Sequence, residues 1–307
     1  MTKEQFIVDL EAIEVFDQEY RIDKYLAEIC EDLSRSELKD YFDESLILVK
    51  GKVVKPSFKV KTGDVIDMLP KEEEIIDLIP EDIPLDIVYE DEDVIVVNKP
   101  SGMVVHPAPG HTHGTLVNAM LFHCQKLSNL NGDFRAGVVH RIDKDTSGLL
   151  VLCKNNMAHK SLSEQLKNKT TKRKYIAIVT GSINHNLGKI NAPIGRDPEN
   201  RQKMAVVEGG KHAITHFRVI DRFRDATLLE VELETGRTHQ IRVHMNFIEH
   251  PVVNDPLYGV KKQTTEFGQY LHAKTLGFEH PRTGEYMEFT SELPVEFEEK
   301  INELKNR

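Results

Sequence analysis

The stretch Gly137-Val-Val-His-Arg-Ile-Asp-Lys-Asp-Thr-Ser-Gly-Leu-Leu-Val-Leu-Cys153 constrains the fold of this chain more than any other. A dense polar cluster, His140 to Ser147, separates two apolar runs, Val138-Val139 and Leu149 to Leu152. The runs read as buried strands bounded by glycines. Ionisable groups between two core strands are costly to desolvate. Chains meet that constraint by lifting the cluster onto a loop, where a rigid scaffold holds it for chemistry.

A second cluster runs from Leu228 to His244. Leu229, Val231 and Leu233 alternate with Glu230, Glu232 and Glu234, which predicts a half-buried strand. Thr235-Gly236 ends it, and Ile241, Met245 and Ile248 then recur at helical spacing. Arg237 therefore falls at a strand-to-helix junction. In a third segment, Arg173 to Gly181, Tyr175, Ala177 and Val179 share one face of a strand. One Asp, one Arg and one Tyr at strand ends form a candidate site. The residues alone do not choose between Asp143 and Asp145.

His140-Arg-Ile-Asp-Lys-Asp-Thr-Ser-Gly148 resembles the signature of the RluA-type pseudouridine synthases. Tyr175 in Lys174-Tyr-Ile-Ala-Ile-Val-Thr-Gly181 resembles that family's second motif, and Gly236-Arg-Thr-His-Gln-Ile-Arg242 its third. Asn98 to Pro107, Asp255-Pro-Leu-Tyr-Gly259, Leu271-His-Ala273 and His280 to Glu285 match further, in family order. The subgroup most resembled acts on the ribosomal large subunit and carries an S4 RNA-binding domain.

The resemblance implies a reaction. The N1–C1′ bond of an RNA uridine breaks, the base turns, and C5 rejoins C1′. Asp143 is the implied essential carboxylate, either attacking C1′ or taking the C2′ proton, with Asp145 supporting the loop. Arg237 is the expected partner of Asp143. Burial raises a carboxylate pKa and a guanidinium lowers it, and a bidentate pair would also fix its orientation. Tyr175 is expected to line the uracil pocket, by stacking alone or also by helping to remove the C5 proton. Ile241 packs on the other side of the base. The target base must be flipped out of folded RNA. Arg141 is expected to fill the gap, since a guanidinium plane stacks on bases. His140 supports the loop or touches a phosphate, while Arg196 and Lys203 contact backbone phosphates.

No cofactor is expected, because the sequence holds neither a P-loop nor a dinucleotide fingerprint. No metal is expected either. His106, His111 and His113, with Cys124 nearby, match no standard zinc spacing and read as loop residues. The three cysteines are scattered, which argues against a disulfide framework and for a reducing compartment. With no signal pattern and no apolar run near the ~18 residues needed to span a membrane, a cytoplasmic protein without membrane contact is expected. It is expected to act as a monomer.

The net charge of −10 argues against nucleic acid when taken alone. Its distribution does not. Acidic residues crowd Glu72 to Asp93 and Glu292 to Glu303, and basic ones crowd Lys167 to Lys174 and Arg196 to Lys203. A basic groove on an acidic chain is compatible with RNA as partner.

A length of 307 residues suggests about two domains. Residues 14–75 resemble an S4 domain: an apolar stripe Ile22, Leu26, Ile29, Cys30 and Leu33, a second helix opened by a Ser34–Glu37 capping box, and a hairpin around Lys50-Gly51. The second helix is unusually acidic, which leaves Arg21, Lys24, Arg35, Lys52 and Lys55 as its RNA-binding candidates. Residues 76–86 have the acidic, proline-bearing composition of a linker. Residues 87–300 mix strands and helices without regular alternation, so the fold class is α+β. The resembled family implies a mixed, mostly antiparallel sheet with a central cleft. Two other readings use the same residues: a nucleosidase, which would want a second carboxylate as acid, and a non-catalytic ribosome-assembly factor. Transfer RNA is the alternative substrate.

Overall fold

The computed structural model describes residues 4–13, 19–30, 35–70, 79–108, 111–124, 126–132, 135–200, 203–259, 265 and 267–307. It divides into two compact units, Met1–Ile76 and Asp77–Arg307. Among the described residues no helix is long and apolar enough to cross a membrane.

The first unit runs β1 (Glu4–Ile7), β2 (Tyr20–Arg21), α1 (Ile22–Ile29), α2 (Arg35–Asp43), β3 (Ile47–Val49), β4 (Lys52–Val53), β5 (Lys59–Val60) and β6 (Val65–Met68). Ile22 and Leu26 of α1 bury against Leu38 and Phe42 of α2, over Ile47, Val49 and Ile66 of the sheet. Strands β3 and β4 form the expected hairpin, with Val49 opposite Lys52. Lys50 and Gly51 at its tip both have positive φ, +51° and +75°, which matches the twist of the paired strands. The sequence reading opens this unit at residue 14, yet β1 pairs antiparallel with β6 from Glu4–Met68 to Ile7–Val65. So short an apolar run carries no local sign of a partner at the far end of the unit. The side chains of Ser34, Arg35 and Glu37, and with them the expected capping box, lie outside the described residues.

The second unit begins with residues expected in the linker. Asn118 Nδ2 donates to the carbonyl of Ile79 at 2.9 Å, and the Glu81 N–H donates to that of Asn118 at 3.0 Å. Then follow β7 (Ile87–Glu90), β8 (Val94–Lys99), α3 (Leu116–His123), β9 (Ser147–Cys153), α4 (Asn156–Asn168), β10 (Lys172–Thr180), β11 (Leu187–Asn191), β12 (Ile194–Arg196), β13 (Met204–Val206), β14 (Ile214–Arg222), β15 (Ala226–Leu233), α5 (Gln240–Phe247), β16 (Leu271–Glu279), β17 (Tyr286–Thr290) and α6 (Val295–Lys305). Nine of the strands build one mixed sheet in the order β11-β14-β15-β10-β16-β9-β8-β7, with β17 beside β16, among the described residues. Every ladder is antiparallel except a short parallel contact between β9 and β16, Ser147–His272 and Gly148–Ala273. The α+β expectation therefore holds.

All seven residues of β9 are buried. Leu150 and Leu152 face the core formed with Leu116 and Met120 of α3, and Leu149, Val151 and Cys153 face the one formed with Leu162 of α4. Burial on both faces explains why this strand reads as an unbroken apolar run. One expected strand is too short to ladder. Val138-Val139 makes a single bridge, Val138 to Leu152. The carbonyls of Val104 and Val105 accept the first N–H groups of α3.

Gly148 lets the chain leave the polar loop directly into the sheet. Its φ is +110°, and a Cβ there would lie 2.6 Å from the Ala273 nitrogen. Gly148→Ala is therefore expected to destabilise the second unit by about 3 kcal/mol, through backbone strain and loss of the parallel contact. A lower Tm and faster amide exchange in β9 and β16, with the first unit's amides unchanged, is the expected result.

Candidate active site

The polar loop ends where β9, β10 and β16 meet, and α5 packs over it. Together they enclose a cavity of about 410 Å³ whose lining includes His140, Arg141, Asp143, Tyr175, Arg237 and Ile241. That volume falls in the range of small-ligand sites.

Three anchors fix the loop from below. Lys99, at the end of β8, is 1% exposed. Its Nζ donates to the carbonyls of Pro100, Met103 and Lys144 at 2.8, 2.8 and 2.9 Å. Burial pushes this ammonium down to about 7, against the pull of Asp145 and Asp143. Ser101 Oγ donates to the Asp145 carbonyl at 3.0 Å, and the Gly102 N–H to that of Lys144 at 3.0 Å. Asp145 thus takes part in loop support through its backbone.

Asp143 is held from above, by a different arginine from the one expected. Its Oδ2 accepts from Arg242 Nη1 at 2.8 Å. Arg237 instead donates through Nε to the His212 carbonyl at 3.0 Å, and its side chain is exposed. The physical reason is the start of α5. Arg237 precedes the helix, whereas Arg242 lies one turn inside it on the core face, 4% exposed. Arg242 spends its other donors on Asp255, with Nε–Oδ2 at 2.7 Å and Nη2–Oδ1 at 2.9 Å. Asp255 Oδ1 also accepts the N–H groups of Leu257 and Tyr258. Burial pushes the Asp255 carboxyl up, but the Arg242 fork and those N–H groups outweigh it and hold it below its ordinary 3.8. The Arg242 guanidinium, opposed by burial but facing two carboxylates, is held above its usual range.

The helix entry is built for this. His239 caps α5 in the left-handed region, φ +56°. Gln240 donates to the Ile214 carbonyl and to Thr215 Oγ1, and its Oε1 accepts from Thr235 and from the Arg237 N–H. His239 Nδ1 lies 3.0 Å from the Tyr258 hydroxyl, and its Nε2 lies 3.9 Å from Asp143 Oδ1.

The other expected residues fall as follows. Tyr175 is buried opposite a bulge in β16, and burial raises its phenol. Ile241 is buried on α5 against the same cavity. His140 Nε2 accepts the Val151 N–H at 3.2 Å. Burial, reinforced by the charge of Arg173, pushes its ring down to about 3, so it is neutral and braces the loop. Arg141 is exposed, with Nη1 3.0 Å from His106 Nε2. Arg196 lines an adjoining cavity of about 470 Å³ with Lys211, and the two cavities share Gly236, Arg237 and Thr238. Lys203 lines neither of these, its Nζ lying 5.7 Å from the centre of the Tyr258 ring. In the first unit Arg21 pairs with Asp23 at 2.7 Å, while Lys24, Lys52 and Lys55 are exposed.

Lys99, Arg242, Asp255 and Tyr258 were not singled out from sequence, although each lies in a quoted motif. Among the described residues, two clusters elsewhere bring potential metal ligands within 4.8 Å of one another: Glu90, His123 and Cys124; and Asp91, Asp93 and His280. Each of these carboxylates already has a partner: Lys154 for Glu90, Tyr89 for Asp91 and Arg282 for Asp93. Neither cluster lines the cavity.

Residues 93–247 match the family described as RNA pseudouridylate synthase, and residues 21–66 match the S4 domain. The chain is 54% identical over 285 residues to the uncharacterized RNA pseudouridine synthase YlyB of Bacillus subtilis, covering 93% of this chain and 94% of that one. It is 46% identical over 290 residues to the ribosomal large subunit pseudouridine synthase D of Pseudomonas aeruginosa, covering 90% and 89%. Human RNA pseudouridylate synthase domain containing 1 shares the fold, with a TM-score of 0.58 and 24% identity over 73% of this chain and 96% of that one.

Removing one member of the buried network strands a charge. Arg242→Met is expected to destabilise the protein by about 3–5 kcal/mol, and Arg237→Met by about 1 kcal/mol, as read from denaturant melts. Asp255 has its pKa lowered on folding, so its contribution is complete above 3.8 and is lost as pH falls through the lower folded value. A Tm profile from about pH 5 to 2 should fall less steeply in Asp255→Asn than in wild type.

Proposed function

The chain belongs to the RNA pseudouridine synthases, and from that membership we propose that it isomerises uridines of 23S ribosomal RNA, with Asp143 as the reacting carboxylate and the target base flipped into the cavity. One observation carries the residue assignment. Asp143 is clamped by Arg242 at a cavity of base-accommodating size walled by Tyr175 and Ile241. The substrate assignment draws on the S4 domain and on relatives named for the ribosomal large subunit.

Oδ2 of Asp143 is committed to Arg242, and among the described residues the nearest basic group to Oδ1 is His239 Nε2 at 3.9 Å, beyond hydrogen-bond reach. Oδ1 is therefore the oxygen that meets the ribose. It serves attack at C1′ and removal of the C2′ proton equally well. Prior clamping of the carboxylate lowers the reorganisation needed in the transition state. Tyr175 and Ile241 hold the base while it turns. Arg141, exposed at the loop, fills the stack that the flipped base leaves. Arg196, Lys211 and Arg237 form a cationic rim on a chain of net charge −10, and contact the backbone. Lys24, Lys52 and Lys55 extend RNA contact on the S4 domain. A 23S substrate places the protein in the cytoplasm.

Tritium release from C5-labelled uridine in 23S transcripts tests the reaction. Wild type is expected to release label and Asp143→Asn to stay at background. Arg141→Ala should slow release while leaving the fold intact. Loss of a pseudouridine only from transfer RNA, in cells lacking the protein, would overturn the 23S assignment.

A further inference from the structure

Arg173 has no role in the chemistry above, and its surroundings are unusual for a charged side chain. It is 8% exposed. Its Nε is buried without a hydrogen-bond partner, and no acidic side chain pairs with it among the described residues. A buried guanidinium without a counter-charge is costly. Arg242, on the same cavity, shows the usual remedy, lying between two carboxylates.

Arg173 alternates with Lys172 and Lys174 on β10, so it shares the buried face with Tyr175. Both line the cavity that holds Asp143. Its charge is felt by the His140 ring and by the Tyr175 phenol. The far wall makes room for it: a Cβ on Gly236 would lie 2.8 Å from Arg173 Nη1. A counter-charge is thus missing on the wall that faces the base, and the proposed reaction creates one.

We propose that Arg173 is a further catalytic residue, donating hydrogen bonds to a carbonyl oxygen of the uracil as negative charge develops on the ring. This rests on the isomerisation proposed above. When the N1–C1′ bond breaks, its electron pair stays with the base and spreads from N1 onto the carbonyl oxygens. Asp143 either bonds to C1′ or takes the C2′ proton. C5 of the base then returns the pair to C1′, Asp143 is released or gives its proton back to C2′, and the C5 proton leaves to a base or water while N1 takes up a proton, so the product is neutral. Arg173 keeps its own protons throughout. A donor fixed where charge appears, away from water, acts in the manner of an oxyanion hole. Burial beside Tyr175 favours the base over a backbone phosphate, which stays with the exposed arginines at the rim.

Single-turnover conversion at saturating RNA tests this, with wild type, Arg173→Met and Arg173→Lys side by side. The RNA is whichever one wild type converts, so failure of the 23S assignment leaves the test standing, and failure of the test leaves Asp143 in place. Arg173→Met is expected to slow conversion by about 100-fold with RNA affinity nearly unchanged. Arg173→Lys should recover part of the rate. The same RNA carrying 5-fluorouridine offers a base that bears negative charge more easily. Cleavage of its N1–C1′ bond, followed as disappearance of 5-fluorouridine from digests, should show a deficit about tenfold smaller or less. The Tm of Arg173→Met should equal or exceed that of wild type, because an unpaired buried charge is removed. An unchanged rate, an equal deficit on both RNAs, a loss confined to affinity with a shallower salt dependence, or a lowered Tm would each overturn the proposal.

Discussion

The fork of Arg242 between Asp143 and Asp255 is the interaction on which the rest of the site depends. A guanidinium on the core face of a helix is tolerable only when its donors are matched, and here Nε, Nη1 and Nη2 each meet a carboxylate oxygen. The match joins the polar loop before β9 to a region far along the chain, helix α5 and the turn Asp255–Gly259 that follows it. The direction of Asp143 is therefore decided by the packing of α5 and by the two backbone N–H groups that hold Asp255. Buried pairs of this kind are weak arguments for stability and strong ones for geometry.

The sheet supplies the rigidity that this geometry needs. Strand β9 is covered on both faces and bonded on both edges, so the loop entering it is anchored to a strand held on every side. Its edge with β16 is the one parallel contact in an otherwise antiparallel sheet among the described residues, and it begins at Ser147, where the polar loop ends. Charge follows the same layout. The chain is acidic as a whole, but the lining of the cavity holds Arg141, Lys167, Arg173, Arg237 and Arg242 with Asp143 as its acid. Net charge would have misled about the ligand, and local placement did not.

Much of this was legible beforehand, for identifiable reasons. The all-apolar run of β9, the alternation in β15 and the stripe Ile241, Met245 and Ile248 on α5 are local patterns, and each marks an element in its right place. Pairing over long distances left no such mark. Strand β1 was missed because its partner is β6. Strand β16 was missed because Leu271-His-Ala-Lys-Thr-Leu-Gly-Phe-Glu279 is buried without alternating. The third motif offered two arginines, and spacing could not tell which one reaches Asp143. That choice depends on where α5 begins, one turn before Arg242, and helix starts are read from sequence only to within a few residues. Lys99 and Arg173 were invisible for another reason: a basic residue in a strand reads as solvent-facing until the burial is known.

The buried ammonium of Lys99 has a consequence for the choice of substrate. With hydrogen bonds to three carbonyls, one of them Lys144 in the reactive loop, it ties that loop firmly to the end of β8. On the proposed reaction, an enzyme whose platform does not yield passes the whole conformational demand to the nucleic acid. Selection among uridines then becomes a question of RNA mechanics. A residue already loosened in a bulge or hairpin reaches the cavity with little work, and one locked in a regular helix does not, even where both present the same atoms to the protein.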